Sequence, residues 1–465
     1  MSALYEFASW EPLLRLVRES NPKRLAAPEG YVKGHIGQGS WSVPLRRVYP
    51  PPGQAAQVSD NQAEWDAVEP LRAAVVAAGV ERVSFLVQCT AEGATTLRLF
   101  GTGPDVEPGA GGPQGGTMIL ADGAVPEPWR RLPEPAPDAV PAPSADAGEL
   151  ERVLRERLPD AIGATEEEIA AAEARLGVVL PEEVKALYRV TRARWEDWST
   201  DDDYAASRHH CESVGFELFG LEHVFVADAE HRATPWEFAA MEAVATRADD
   251  AVQRLAGSPG WITIGDNGGG DGIVVDLTPG PRGHLGQVIL LSHEEDMGGV
   301  LLAGSLTELI VDGEREEEYR ERDELPEIAR INRYAGTSVE AVAGPALEVL
   351  SFGVWDGEPF SLAPVLGLPR LRTLTAYPGT LADPAQLAGL PALEYLRLPY
   401  EDWRTLLDAD AVPGTLLAAS IETNGGGPDH HPLALVALTY EILTLFDRSV
   451  LPVAVLEGDL GPAPA

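Results

Sequence analysis

Cysteine is nearly absent from this 465-residue chain, which holds only Cys89 and Cys211. Two such residues make no disulfide framework and fit a reducing compartment. Basic residues are scarce as well: 35 Lys and Arg stand against 73 Asp and Glu, a formal charge of −38. That balance repels bare DNA or RNA, because binding a polyphosphate needs clustered Lys and Arg. The same charge maintains solubility, and it attracts basic proteins and speeds encounter with them. No long hydrophobic run is present. The longest, "PLALVALTYEILTLF", carries Glu441 and is too short to cross a bilayer. The first residues, "MSALYEFASWEPLL", lack a basic start followed by an apolar core, so no signal peptide is expected. A soluble cytoplasmic protein without a membrane partner is expected.

What is present divides the chain into segments. The length suits about three domains, and 45% hydrophobic residues supply sizeable cores. Residues 1–123 read as a small α+β unit. Ser59 and Gln62 have capping-box spacing, Trp65, Val68, Leu71 and Val75 recur at helical intervals, and Gly79 ends that helix. "VSFLVQC" and "TTLRLFG" then form a hairpin across a turn containing Gly93. "GTGPDVEPGAGGPQGG" (101–116) reads as a long loop, and 124–148, rich in Pro and Ala, as an extended interdomain linker. No function attaches to the first unit.

The middle segment spans 149–325. Thr165 and Glu168 form a capping box; Ile169, Ala172 and Leu176 line one helix face; Gly177 closes the helix. A second helix opens at Pro181, with Glu182 and Glu183 near its positive end and Val184, Leu187 and Tyr188 inward. A polar insertion follows, then "FELFGLEHVFV", a long helix over 236–255, the strand "QVILLSHE" and a closing helix at "GSLTELI". An acidic run over 314–327 reads as an exposed helical connector.

The last segment, 340–465, repeats. "LEVLSF", "LPRLRTLTAY" and "LPALEYLRLPY" place leucines in an L-x-x-L-x-L spacing at Leu371/Leu374 and Leu393/Leu396/Leu398. That spacing is the signature of leucine-rich repeats, each a short strand and a return stacked on its neighbour. The array is degenerate, and a Leu-rich α+β domain is the competing reading. Residues 433–447 form a closing helix.

"WITIGDNGGGDGIVVDL" (261–277) carries the densest punctuation. A phosphate cradle needs a helix after its glycines and no repelling carboxylates. Here strand-like "GIVVDL" follows, and Asp266 and Asp271 flank the turn. A calcium loop needs alternating carboxylates and a closing Glu, which are missing. Trp261, Gly265, Gly268, Gly269 and Gly270 therefore read as the structural signature of a hairpin. His209–Glu212, "HHCE", lacks the spacing of a metal site, and no catalytic residue, metal or cofactor is expected. In the insertion, Trp195, Trp198 and Tyr204 are interleaved with Asp201, Asp202 and Asp203. With Asp266 and Asp271 these are the candidate protein-binding residues, aromatic anchors beside acids that suit a basic partner. A solvated loop packing its tryptophans on its own domain is the equal alternative.

Three features of the middle segment resemble the SMI1/KNR4, or SUKH, superfamily. They are the helix–Gly–Leu-Pro–helix run "ATEEEIAAAEARLGVVLPEEVKALYRV", the glycine hairpin, and the ending "LLAGSLTELI". The likeness covers about residues 164–312. The insertion after the second helix departs from the family, which commonly has Asn-Gly there. The resemblance implies an antiparallel sheet with flanking helices, in an α+β domain that lacks catalytic residues and binds proteins. Bacterial members resemble immunity proteins that neutralise polymorphic toxins, and fungal relatives act in cell-wall regulation and signalling. The leading expectation is immunity to a basic toxin, such as a nuclease. The alternative is an intracellular scaffold or regulator that uses the repeats for protein–protein interaction.

Overall fold

The structure is a computed structural model. It describes residues 3–46, 61–101, 103, 105–109, 112–119, 131–194, 197, 203–229, 231–232, 236–313, 326–335, 337–423 and 430–462. Side chains are described for all of these except 107–109, 112–119, 203–205 and 236. The fold is α+β, and the chain divides into two compact units. One comprises 1–120, 397–409 and 418–465; the other comprises 121–396 and 410–417. The segment read as 340–465 thus contributes to both.

In the first unit, helices Phe7–Ser20 and Gln62–Ala77 cover an antiparallel sheet. Strands Val32–Gly37, Arg82–Cys89 and Ala94–Phe100 supply its centre. Trp10, Leu14, Val68, Leu71, Val75, Phe85 and Leu97 form the core, with Trp10 edge-on to Phe85 at 5.4 Å. The last strand of the chain, Val453–Asp459, closes this sheet by pairing along the whole of Ala94–Phe100. Arg15 donates to the Leu460 carbonyl (2.9 Å) and Arg18 to that of Gly461 (2.6 Å), fixing the strand's exit.

Three local expectations change here. Ser59 lies outside the described residues, and the helix begins after Asn61, which makes no side-chain cap. Trp65 is 40% exposed rather than buried. The 101–116 stretch is no simple loop, because Val106–Gly109 and Gly112–Ile119 form a hairpin whose second strand pairs with Ala418–Glu422. Its Gly and Pro content argues for turns, but a strand some 300 residues away supplies hydrogen bonds that local composition cannot register.

The second unit holds two sheets. In the first, Val300–Ala303, Gln287–Leu291, Gly272–Asp276 and Trp261–Asp266 run antiparallel, with Glu217–Leu218 and Phe225–Val226 pairing on Trp261–Asp266. Helices Ala147–Arg157, Glu166–Leu176 and Glu182–Val190 pack over it through Leu150, Leu154, Ile169, Val184, Leu187 and Tyr188. The capping box at Thr165 and Glu168 is formed, and Gly177 is left-handed at φ 71°. The 131–146 part of the expected linker lies along this domain. Glu134 exchanges backbone hydrogen bonds with the buried Gln253 side chain, Val140 accepts from Leu285, and Ser144 donates to Glu308.

In the second sheet, Ile328–Ile331, Val349–Phe352 and Thr373–Ala376 are parallel and in register. The residue before each strand, Glu327, Glu348 and Arg372, continues the ladder to Glu394. Successive offsets along it are 21, 24 and 22 residues (327 to 348, 348 to 372, 372 to 394). Leu350, Leu371, Leu374, Leu393 and Leu396 are buried inside.

The helix expected over 236–255 stops at Glu242. Beyond it, Asp250 caps the Arg247 N–H, Arg247 pairs with Glu327, and Arg372 takes the Ala243 carbonyl. These tertiary bonds outweigh the local helical preference.

Candidate functional site

The hairpin that motivates a site is built as strand, turn and strand. Asp266 faces Gly272 across the ladder, with 267–271 as the loop. Asp266 accepts from the Gly268 N–H (2.5 Å). The Asn267 side chain accepts from Gly269 (2.8 Å) and donates to Asp271 (2.8 Å). Gly268 and Gly270 take φ of +80° and +99°, which L side chains seldom adopt. Gly265 is needed for another reason: a Cβ there would lie 2.3 Å from the Glu217 carbonyl oxygen. Trp261 is fully buried at the base of the hairpin.

The two aspartates have different partners. The Asp271 carboxylate accepts from the His293 N–H (3.0 Å) and lies 2.8 Å from the His293 ring Nδ1. Burial pushes its pKa upward, but the bonds from His293 and Asn267 outweigh burial and hold the carboxyl below its ordinary range. Asp271 is thus a fastener between neighbouring loops, whereas Asp266 caps its own turn. The exposed rim of the site is 267–270.

Trp195, Trp198, Asp201 and Asp202 lie outside the described residues. Asp203 and Tyr204 open the Asp203–Val214 helix, but their side chains are not described. The entry to the insertion carries a charge network that sequence reasoning missed. Arg192 holds Asp197 through two 2.6 Å bonds, and Arg194 reaches Glu168 (3.2 Å) and Glu222 (3.3 Å). The Arg192 hydrogen bond keeps Asp197 well below the usual carboxylate range. The signal is the "TRAR" run, whose Ala193 sits at φ +51°.

"HHCE" lies on the Asp203–Val214 helix. His210 is buried against the Thr191 hydroxyl (2.8 Å), and burial lowers its pKa to about 4. Burial, then Glu217 and Asp266, push the Cys211 thiol up. Among the described residues, no three acid, His or Cys side chains gather in a form that would hold a metal. Also unforeseen is Asp276, fully buried in "VVDLTP". Burial raises its pKa to about 6, against hydrogen bonds from the Thr278 N–H (2.7 Å) and Gln287 side chain (2.9 Å).

A cleft of about 620 Å³ opens at the N-terminal ends of the parallel strands. Arg131, Glu348, Arg370, Arg372 and Glu394 line it. Glu348, 2% exposed, pairs with Arg370 and with Arg372 (2.8 Å), and Arg372 stands 3.6 Å from Glu394. Its charges are therefore spent largely on one another. Glu327, expected in an exposed connector, is buried against Arg247; residues 314–325 lie outside the described residues.

A helix pair on an antiparallel sheet, with a glycine hairpin exposed at one end, defines the class: an α+β domain whose signature is structural. Residues 163–312 match the model of the SMI1 / KNR4 family (SUKH-1), so the chain carries an SMI1/KNR4 domain in its middle. A glucan synthesis regulatory protein of Neurospora crassa is 28% identical over 102 residues, which is 22% of this chain and 19% of that protein. A cell wall biosynthesis/cell cycle regulator of Schizosaccharomyces pombe is 33% identical over 95 residues, 17% of this chain and 19% of that protein. A KNR4/SMI1 homologue of Yarrowia lipolytica is 46% identical over 48 residues, 10% of this chain and 7% of that protein. The chain spans about a fifth or less of the length of these curated relatives.

Proposed function

We propose that this chain is a non-catalytic regulator or scaffold that acts by binding other proteins. The observation that carries the reading is the SMI1/KNR4 domain at 163–312, whose relatives in Neurospora and Schizosaccharomyces bear the names of regulators. The parallel strands in register at 21- and 24-residue offsets support a leucine-rich-repeat-like segment beside that domain. Stacked repeats offer an extended surface for a protein partner. The immunity expectation rests on the net charge of −38 and on bacterial likenesses; the relatives matched here favour regulation over it.

The test is capture of partners by the full-length chain in cells that encode it, followed by hydrogen exchange of the purified complex. Protection on 163–312 or on 327–417, with a partner that is not a toxin, is the expected result. Protection of cells against a toxin encoded beside the gene, with no other stable partner, would replace regulation by immunity.

A further inference from the structure

We infer that the loops leaving the C-terminal ends of the parallel strands form a docking surface for an arginine-bearing, basic segment of a partner protein. This rests on the protein-binding reading above and adds to it a place and a chemistry.

The loops are 332–335, 353–362 and 377–386. They stay in register after the strands end: Gly353 donates to the Ile331 carbonyl, Tyr377 to that of Phe352, and Arg333 to that of Val354. Aromatic rings lead outward from the core along this edge. Phe352 is buried, Phe360 packs on it tilted by 31° at 5.3 Å, and Trp355 packs on Phe360 tilted by 44° at 4.7 Å. The Trp355 indole N–H donates to the Glu358 carbonyl (2.9 Å), which holds the ring at the surface. Tyr334 is 82% exposed, the most exposed large apolar side chain among the described residues. A tyrosine and a tryptophan held on a rigid edge have the composition of an interface hot spot.

Charge selects the occupant. The charged side chains of these loops are Arg333, Asp356, Glu358 and Asp383, all exposed, so acids outnumber bases three to one. The chain as a whole is acidic too, at −38. The fold also shows how a guanidinium sits here. Arg333 lies 4.9 Å from the Tyr334 ring centroid, donates to the Tyr334 hydroxyl (2.8 Å) and reaches Asp356 (3.4 Å). A partner arginine meets the same two elements, an aromatic face and a carboxylate, at Trp355 with Asp356 or Glu358. An acidic segment would meet these carboxylates with like charge, and a purely apolar one would cover Glu358 without bringing it a counter-charge.

The experiment uses the full-length chain and a fluorescein-labelled twelve-residue peptide of alternating Arg and Ser, followed by anisotropy at 0.15 M NaCl. Saturable binding is expected, weakened at least tenfold in the double variant Tyr334→Ala/Trp355→Ala. Trp355→Phe keeps a ring on Phe360 and should retain most of the affinity, which separates ring loss from misfolding. Asp160→Asn/Glu167→Gln removes two exposed acids elsewhere and should change affinity less than twofold. The inference is overturned if the Tyr334/Trp355 variant binds like the parent, if the charge control loses as much, or if the peptide fails to bind. A chain that captures cellular partners yet shows no dependence on Tyr334 and Trp355 loses this surface and keeps the regulatory reading. A chain that captures none loses both.

Discussion

Asp276 shows what a single residue contributes. It is a carboxyl inside a sheet, and burial raises its pKa to about 6 from an ordinary 3.8. Between these values the folded protein holds a proton that the unfolded chain has released. Stability therefore falls as pH rises from about 4 to about 6, the reverse of an ion-paired carboxylate. In Asp276→Asn the Gln287 side-chain N–H faces a donor, which destabilises the variant at every pH. The informative quantity is the difference between parent and variant. The parent's advantage should grow by roughly 2 kcal/mol as pH falls from 7 to 4. Denaturant unfolding across that range checks it, and a pH-independent difference would show that Asp276 does not titrate there. The hairpin glycines are the opposite case, legible from sequence because φ near +80° at Gly268 leaves few alternatives. Asp271 was legible as a turn residue but not as the partner of His293, since a loop 22 residues away supplies that bond.

At the scale of elements, capping and periodicity told most. The 166–176 helix appears where its capping box and Gly177 place it, the 182–190 helix follows directly on Pro181, and Val184, Leu187 and Tyr188 are buried. Elements decided by distant partners were not legible. The shortened helix at Trp236–Glu242, the 106–119 hairpin and the packed 131–146 strap all owe their form to hydrogen bonds from far along the chain. The Ala147–Arg157 helix precedes the matched family region, yet Leu150 and Leu154 are fully buried in that domain's core. Leu154→Ala should cost about 2–5 kcal/mol, read by chemical denaturation; a loss below about 0.5 kcal/mol would place the helix outside the cooperative core. The charge ladder of the parallel sheet makes a second expectation. Glu348→Ala leaves Arg372 buried beside Glu394 without its main partner, and should destabilise by about 3–5 kcal/mol. An unchanged unfolding midpoint would contradict the ladder's structural role.

For the whole molecule, a strand some 350 residues further along completes the first unit's sheet. Val453–Asp459 pairs with all of Ala94–Phe100, and Leu460 joins the core of the first unit. Truncation after Pro452 should leave the alternate amides of Ala94–Phe100 that bond to Val453–Asp459 exchanging at least a hundredfold faster, measured by hydrogen exchange, while those bonded to Arg82–Cys89 change less. Protection equal to the parent would mean that the first unit closes without its last strand. Among the described residues, no helix is long and apolar enough to cross a membrane. The charge of −38, the SMI1/KNR4 domain and the in-register parallel strands are the grounds of the proposal that the molecule works by occupancy rather than by turnover.

That claim is tested most directly by reconstituting the full-length chain with a partner captured from its own cells. Stoichiometry is then followed by analytical ultracentrifugation, and the partner's mass before and after. A saturable complex of fixed stoichiometry, from which the partner is recovered chemically unchanged, is the result expected here. A partner released cleaved or covalently modified, at less than one chain per molecule converted, would contradict it.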